Sequence, residues 1–167
     1  MTNKGFTLIE LVLVIAILGV SIGVTTDVLI SVIRGYNKTQ VMNEIEQQAN
    51  FVSMKIEKEL RSAKDITTPA TSGQSGTTLV FINDDNETIT YSLTGDILQR
   101  NGDAVTSSQQ PSGVKVACGS PNCFELKGTT PQIVRITLVF TQASPSPLKV
   151  FQGDISIDST IVLRSTY

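Results

Sequence analysis

Lys4-Gly5-Phe6-Thr7-Leu8-Ile9-Glu10 runs directly into Leu11-Val12-Leu13-Val14-Ile15-Ala16-Ile17-Leu18-Gly19-Val20. A short polar leader meets a long hydrophobic segment at a Gly-Phe junction, and one carboxylate sits a few residues inside that segment. The apolar stretch from Phe6 to Val24 would extend about 28 Å as an α-helix, enough for the roughly 30 Å hydrocarbon core of a bilayer. An anionic side chain near the bilayer centre costs about 2.5–3.5 kcal/mol on insertion scales. A plain membrane anchor has no use for Glu10, so something should offset that cost.

Beyond Val24, Thr25-Thr26-Asp27 interrupts the run with polarity, and Val28 to Ile33 adds a second apolar patch. After Arg34-Gly35-Tyr36-Asn37 the pattern turns amphipathic. Val41, Ile45, Ala49, Val52, Ile56 and Leu60 recur at intervals of 4, 4, 3, 4 and 4, one stripe of a 3.6-residue period. Glu44, Glu46, Lys55, Lys58, Glu59 and Arg61 occupy the other faces. No proline occurs before Pro69, so the reading is one helix from Phe6 to about Ala63, with Gly35 its weakest internal point.

Thr67 to Thr78 reads as a linker or surface loop. Strand-like runs follow at Thr78–Ile82, Thr88–Leu93, Asp96–Arg100, Val114–Ala117, Phe124–Lys127, Ile133–Gln142 and Asp154–Leu163. Asn83-Asp84-Asp85-Asn86 forms a hairpin turn between the first two, and Ser107–Gly113 is a loop. In the Ile133 strand, Val134, Ile136, Leu138 and Phe140 share one apolar face while Arg135 and Thr137 point the other way. One-sided strands of this kind predict a mostly antiparallel sheet that the helical stripe covers. The fold class is therefore α+β: a long N-terminal helix, transmembrane in its first half and amphipathic in its second, packed on a β domain.

Composition narrows the function. There is no His, which removes the commonest general base; with only two Cys the usual structural zinc sets are also missing. No serine has an evident base, and no glycine-rich phosphate loop occurs, so the chain reads as a non-enzyme with no cofactor. From Asp65 onward, six Lys/Arg (Arg100, Lys115, Lys127, Arg135, Lys149 and Arg164) stand against nine Asp/Glu, a net charge of −3. That offers no footprint for nucleic acid. Cys118-Gly-Ser-Pro-Asn-Cys123 reads as a small disulfide loop made in an oxidising compartment; two unpaired thiols in a loop are the alternative. Asp84, Asp85 and Glu87 cluster oxygen ligands that could hold Ca²⁺, but they lack the spaced pattern of a dedicated loop, and a polar turn is the better reading.

Three readings of the N-terminus compete. A cleavable secretory signal should have a shorter apolar core and small residues at a later cleavage site. A plain anchor fits the length but leaves Glu10 unexplained. The third is carried by Lys4-Gly5-Phe6-Thr7-Leu8-Ile9-Glu10-Leu11, which resembles the processing motif of type IV pilins and type II secretion pseudopilins almost residue for residue. The resemblance is specific over Lys4 to Gly19; in the β domain only architecture is shared.

This resemblance implies a pilin-like fold in four parts: a leader at residues 1–5, a transmembrane and filament-core helix at 6–33, an amphipathic helix at 34–64, and an extracytoplasmic β-rich domain at 65–167. It implies cleavage by prepilin peptidase between Gly5 and Phe6 on the cytoplasmic side, and N-methylation of the new amino terminus of Phe6. In a filament the Phe6 ammonium of one subunit would lie near the Glu10 carboxylate of a neighbour. Desolvation cancels much of the Coulomb gain there, so the pair would set register more than stability. Gly19 and Gly23, with Ser21 between them, give a small-residue face for close helix approach. Where many major pilins carry a helix-breaking proline, this chain has Thr26-Asp27-Val28, which favours a minor pilin or pseudopilin. Only Lys4 and the starting amine lie on the proposed cytoplasmic side, whereas Arg34 and Lys38 lie beyond the span; the positive-inside rule alone prefers the reverse, and the motif and the Cys pair outweigh it.

The expected function is a structural subunit of a type IV pilus-like filament, held in the inner membrane before assembly. Its expected partners are other pilin subunits, the prepilin peptidase and an inner-membrane assembly platform. A pseudopilin of the type II secretion piston is the alternative within the superfamily, and Ile161-Val162-Leu163-Arg164 after the β domain is faintly like the minor pseudopilins. A tip adhesin or DNA-uptake subunit is the alternative of another class.

Overall fold

The computed structural model describes residues 5, 7–109, 113–119, 122–143 and 152–163. The leader residues 1–4, Phe6, the middle of the Ser107–Gly113 loop and Arg164 lie outside the described residues.

Helix α1 runs from Leu8 to Arg61 without a break, passing straight through Gly35. It begins two residues later than the periodicity predicts, because Thr7 is extended and acts as the N-cap: its hydroxyl accepts from the Glu10 amide at 3.4 Å. Lys58 and Arg61 stand in the last turn, where cations oppose the helix dipole. Ile45, Ala49, Val52, Ile56 and Leu60 are buried and Val41 is packed against them, so the predicted stripe is the core-facing one. From Leu8 to Gln40 every residue is exposed.

The β domain holds two antiparallel sheets. In the first, β1 (Asp65–Thr68), β3 (Thr78–Ile82), β4 (Thr88–Thr94), β5 (Ile97–Arg100) and β6 (Asp103–Ala104) lie side by side in that order. The β5–β6 turn is Asn101-Gly102, with φ of +52° and +90°, the backbone that a two-residue hairpin requires. In the second sheet, β9 (Gln132–Gln142) has β10 (Asp154–Val162) along one edge. Its other edge carries β7 (Val114–Cys118) and β8 (Phe124–Thr129) end to end, and β2 (Ser75–Gly76) adds to β8. The stretch read as a linker, Thr67–Thr78, thus contains the end of β1 and all of β2. Both strands were too short to show alternation: in β1 only Ile66 is buried, and β2 is recruited through its backbone.

Val134, Ile136, Leu138 and Phe140 are all buried, as their alternation predicts. They meet the helix stripe, Phe124, Leu126 and Ile161, while Leu79, Phe81, Tyr91 and Leu98 bring the first sheet into the same core. Phe81 and Tyr91 stack with ring centroids 6.2 Å apart.

Cys118 and Cys123 form a disulfide with their Cα atoms 4.4 Å apart. It closes the short excursion between β7 and β8. Cys118 pairs with Leu138 and Phe124 with Ile136, so the chain leaves β9 and rejoins it two residues further along. Thr137 spans the gap: its carbonyl accepts from Gly119 at 2.9 Å and its amide donates to Cys123 at 2.8 Å.

Candidate functional site

The site predicted by the sequence is the N-terminal end of α1. Gly5 is exposed, and a Cβ there would meet nothing within 4 Å; Phe6, the expected cleavage and methylation residue, is outside the described residues. Thr7, Leu8, Ile9 and Glu10 have the Thr-x-x-Glu spacing of a capping box, a signal the sequence reading passed over. The Thr7 carbonyl accepts from the amides of Glu10 and Leu11 at 3.1 and 3.3 Å.

This geometry changes the account of Glu10. It stands in the first turn of the helix, where a carboxylate opposes the helix dipole by about 0.3–1 kcal/mol. In a span that starts at the helix N-terminus it lies near one end, so the full midplane penalty does not apply. The carboxylate is exposed and, among the described residues, has no ion-pair partner. Its local role therefore leaves its charge unmatched.

Gly19 and Gly23 are also exposed, with nothing within 4 Å of a Cβ built at either. Nothing among the described residues requires glycine there. Ser21 is two positions from each glycine and so projects on the opposite side of the helix; it does not extend the small-residue face, as the sequence reading supposed. Its hydroxyl donates instead to the Ile17 carbonyl at 2.9 Å. Thr25 and Thr26 likewise donate to Ser21 and Ile22 carbonyls at 2.7 and 2.8 Å. These hydroxyls are satisfied within the helix, so the polar interruption after Val24 reduces to Asp27 alone. The helix is long and apolar enough to cross a membrane, and its apolar window is not buried by any other described residue.

The β domain has different chemistry. Asn83 organises the acidic turn by accepting from the Asp85 and Glu87 amides and donating to the Glu87 carboxylate at 3.0 Å. The Lys64 ammonium donates to the Asp84 carbonyl at 2.6 Å and to the Asn86 side chain at 3.0 Å. Asp84, Asp85 and Glu87 do not converge as a metal-ligand group, and no such group of three occurs among the described residues.

Sequence reasoning also missed Glu59, which it placed on an outer face. Glu59 turns inward: it accepts from the Tyr91 hydroxyl at 2.9 Å and from Arg100 Nε at 3.1 Å. Burial, then the Glu59 charge and hydrogen bond, push the Tyr91 phenol well above its ordinary range. The Glu59 hydrogen bond holds the Arg100 guanidinium above its ordinary value. The cluster ties the helix to β4 and β5. Only the step of three from Ile56 to Glu59 hinted that this side chain borders the buried stripe.

A family model described as the prokaryotic N-terminal methylation motif matches residues 1–26. The chain carries the type IV pilin and pseudopilin signature. The matched stretch spans the Gly5–Phe6 junction, Glu10 and both helix glycines, and Glu10, Gly19 and Gly23 are exposed, as is the rest of the helix from Leu8 to Gln40. It supports a pilin-like or pseudopilin role, processing by prepilin peptidase and membrane anchoring through the N-terminal helix. No curated protein and no solved structure matches this chain.

Proposed function

We propose that this chain is a structural subunit, a minor pilin or pseudopilin, of a type IV pilus-like filament. Prepilin peptidase removes residues 1–5 and methylates the Phe6 amine. The apolar helix waits in the inner membrane and is then drawn by an assembly platform into a helical bundle, with the β domain facing outward. The observation that carries this reading is the signature at residues 1–26 heading a helix whose mostly apolar stretch from Leu8 to Ile33 is exposed on every side. A monomer in water does not keep so large an apolar surface uncovered. Glu10, Gly19 and Gly23 then serve contacts between subunits.

Mass spectrometry of the N-terminus of the protein from native membranes tests the first step. The expected product starts at N-methylated Phe6; an intact Met1, or a cut elsewhere, overturns the reading. Glu10→Ala tests the second. Cleavage should proceed normally while incorporation into filaments falls, and normal incorporation would remove Glu10 from the assembly mechanism.

A further inference from the structure

Arg34 and Lys38 stand one helical turn apart on α1, both exposed, and among the described residues neither has an ion-pair partner. Asp27 is the only other charge between Glu10 and Glu44. Asp27, Arg34 and Lys38 share one stripe, and it continues upward into Val41 and Ile45, which pack under the β domain. The two cations therefore lie directly beneath that domain. Their position beyond the apolar segment opposes the positive-inside rule, so an anion there would offset a real cost.

The axial level says which anion is at hand. Measured from Leu8 at 1.5 Å per residue, Arg34 is about 39 Å and Lys38 about 45 Å along the helix, against the roughly 40–45 Å of a bilayer with its headgroups. Helix side chains lean toward the N-terminus, here back toward the bilayer. Both cations thus reach the headgroup layer from which the helix emerges. The turns below are apolar and exposed from Val28 to Ile33. Tyr36, 69% exposed, stands between the cations on the other side of the helix, and tyrosine is enriched at the membrane–water boundary. Asp27 is about 10 Å below Arg34 and repels an anion at its own depth. That leaves the turn between Arg34 and Lys38 as the place for a phosphate.

We propose that Arg34 and Lys38 bind the headgroup phosphate of an anionic phospholipid in the leaflet from which α1 emerges. The guanidinium fork takes two phosphate oxygens and the ammonium acts as a point charge. The site sets how deep the helix sits and holds the β domain at the membrane surface. The proposal rests on membrane anchoring through the N-terminal helix.

The test uses the full chain with Ile30→Trp. The chain has no tryptophan of its own, and Ile30 is exposed one turn below Arg34, so a probe there reports the lipid on the cationic face. The protein is reconstituted in phosphatidylcholine vesicles in which a minor fraction of the lipid, either phosphatidylglycerol or phosphatidylcholine, carries bromine on its acyl chains. Each cation near the surface favours anionic lipid by about fivefold. With Asp27 offsetting part of that, brominated phosphatidylglycerol should quench at least ~5-fold more per mole than brominated phosphatidylcholine. Arg34→Gln with Lys38→Gln should bring the two lipids level and leave the melting midpoint of the β domain unchanged. Equal quenching with both cations present overturns the proposal and leaves the pair to acidic groups of a partner protein. A preference that survives the double substitution overturns it too. No quenching by either lipid would mean that the helix is outside the bilayer, and the membrane anchoring would fail with the proposal.

Discussion

The two halves of α1 are one uninterrupted helix in two unlike settings. From Leu8 to Gln40 every side chain is exposed; from Val41 to Arg61 one stripe is buried as deeply as any strand. Each half also carries one significant glutamate. Glu59 finds Tyr91 and Arg100 within the chain, whereas Glu10 finds no ion-pair partner among the described residues. Backbone hydrogen bonding is the same throughout, so the difference lies in where burial comes from. The upper half takes it from its own sheets. The lower half takes none from the described residues, and its apolar length suits a bilayer.

The strongest way to break this contrast is to make the same deletion in both halves. Ile56 is fully buried and Ile17 is exposed. Ile56→Ala should cost about 2–5 kcal/mol through lost burial and a cavity. Ile17→Ala, measured in detergent, should cost less than ~0.5 kcal/mol. Chemical denaturation followed by far-UV circular dichroism reads both. Equal losses would mean that the halves unfold as one unit and that the division is false.

The division itself was readable in the sequence. The intervals of Val41 to Leu60 placed the buried stripe, and the alternation in Val134 to Phe140 placed the central strand, because both segments are long enough for a period to show. β1, β2 and β6 were not readable, since two to four residues hold no period and their partners are fixed by the rest of the sheet. The Asn83–Asn86 turn and the pairing of Cys118 with Cys123 were visible as local chemistry. Glu59 was hidden because a glutamate beside a buried stripe looks like any solvated one until Arg100, far along the chain, is brought to it. The Thr-x-x-Glu spacing at Thr7 and Glu10 that starts the helix is legible too, but it lies inside the processing motif, whose residues carry both signals at once.

A smaller effect tests the two glutamates. Glu59→Gln removes the charge that holds Arg100 and Tyr91 and should cost about 1.5–3 kcal/mol; Tyr91→Phe should cost about 1 kcal/mol. The buried phenol adds a pH signature. Its folded pKa lies above the ordinary value near 10, so its contribution is complete below pH ~10 and is lost as pH rises through the alkaline range toward the folded value. Stability of the native chain should therefore decline above pH ~10, and Tyr91→Phe should flatten that decline. An alkaline slope unchanged in Tyr91→Phe would place the titrating group elsewhere.

The smallest expected effect concerns the junction between the halves. Gly35 lies in the exposed helix just below Val41, and a Cβ there meets nothing within 4 Å. Its carbonyl also accepts from the Thr39 hydroxyl at 3.1 Å. Glycine in a helix interior costs roughly 0.5–1 kcal/mol relative to alanine, and no space or backbone angle demands it here. Gly35→Ala should thus slow amide exchange around residues 32–40 by up to about fivefold, the rate equivalent of ~1 kcal/mol, while the denaturation midpoint of the β domain is unchanged. A midpoint that rises with the exchange protection would couple the junction to the domain core, and the exposed and buried halves would then be stabilised together. A junction that stiffens alone, with slower filament assembly, would instead mean that the halves must bend against each other as the subunit leaves the membrane.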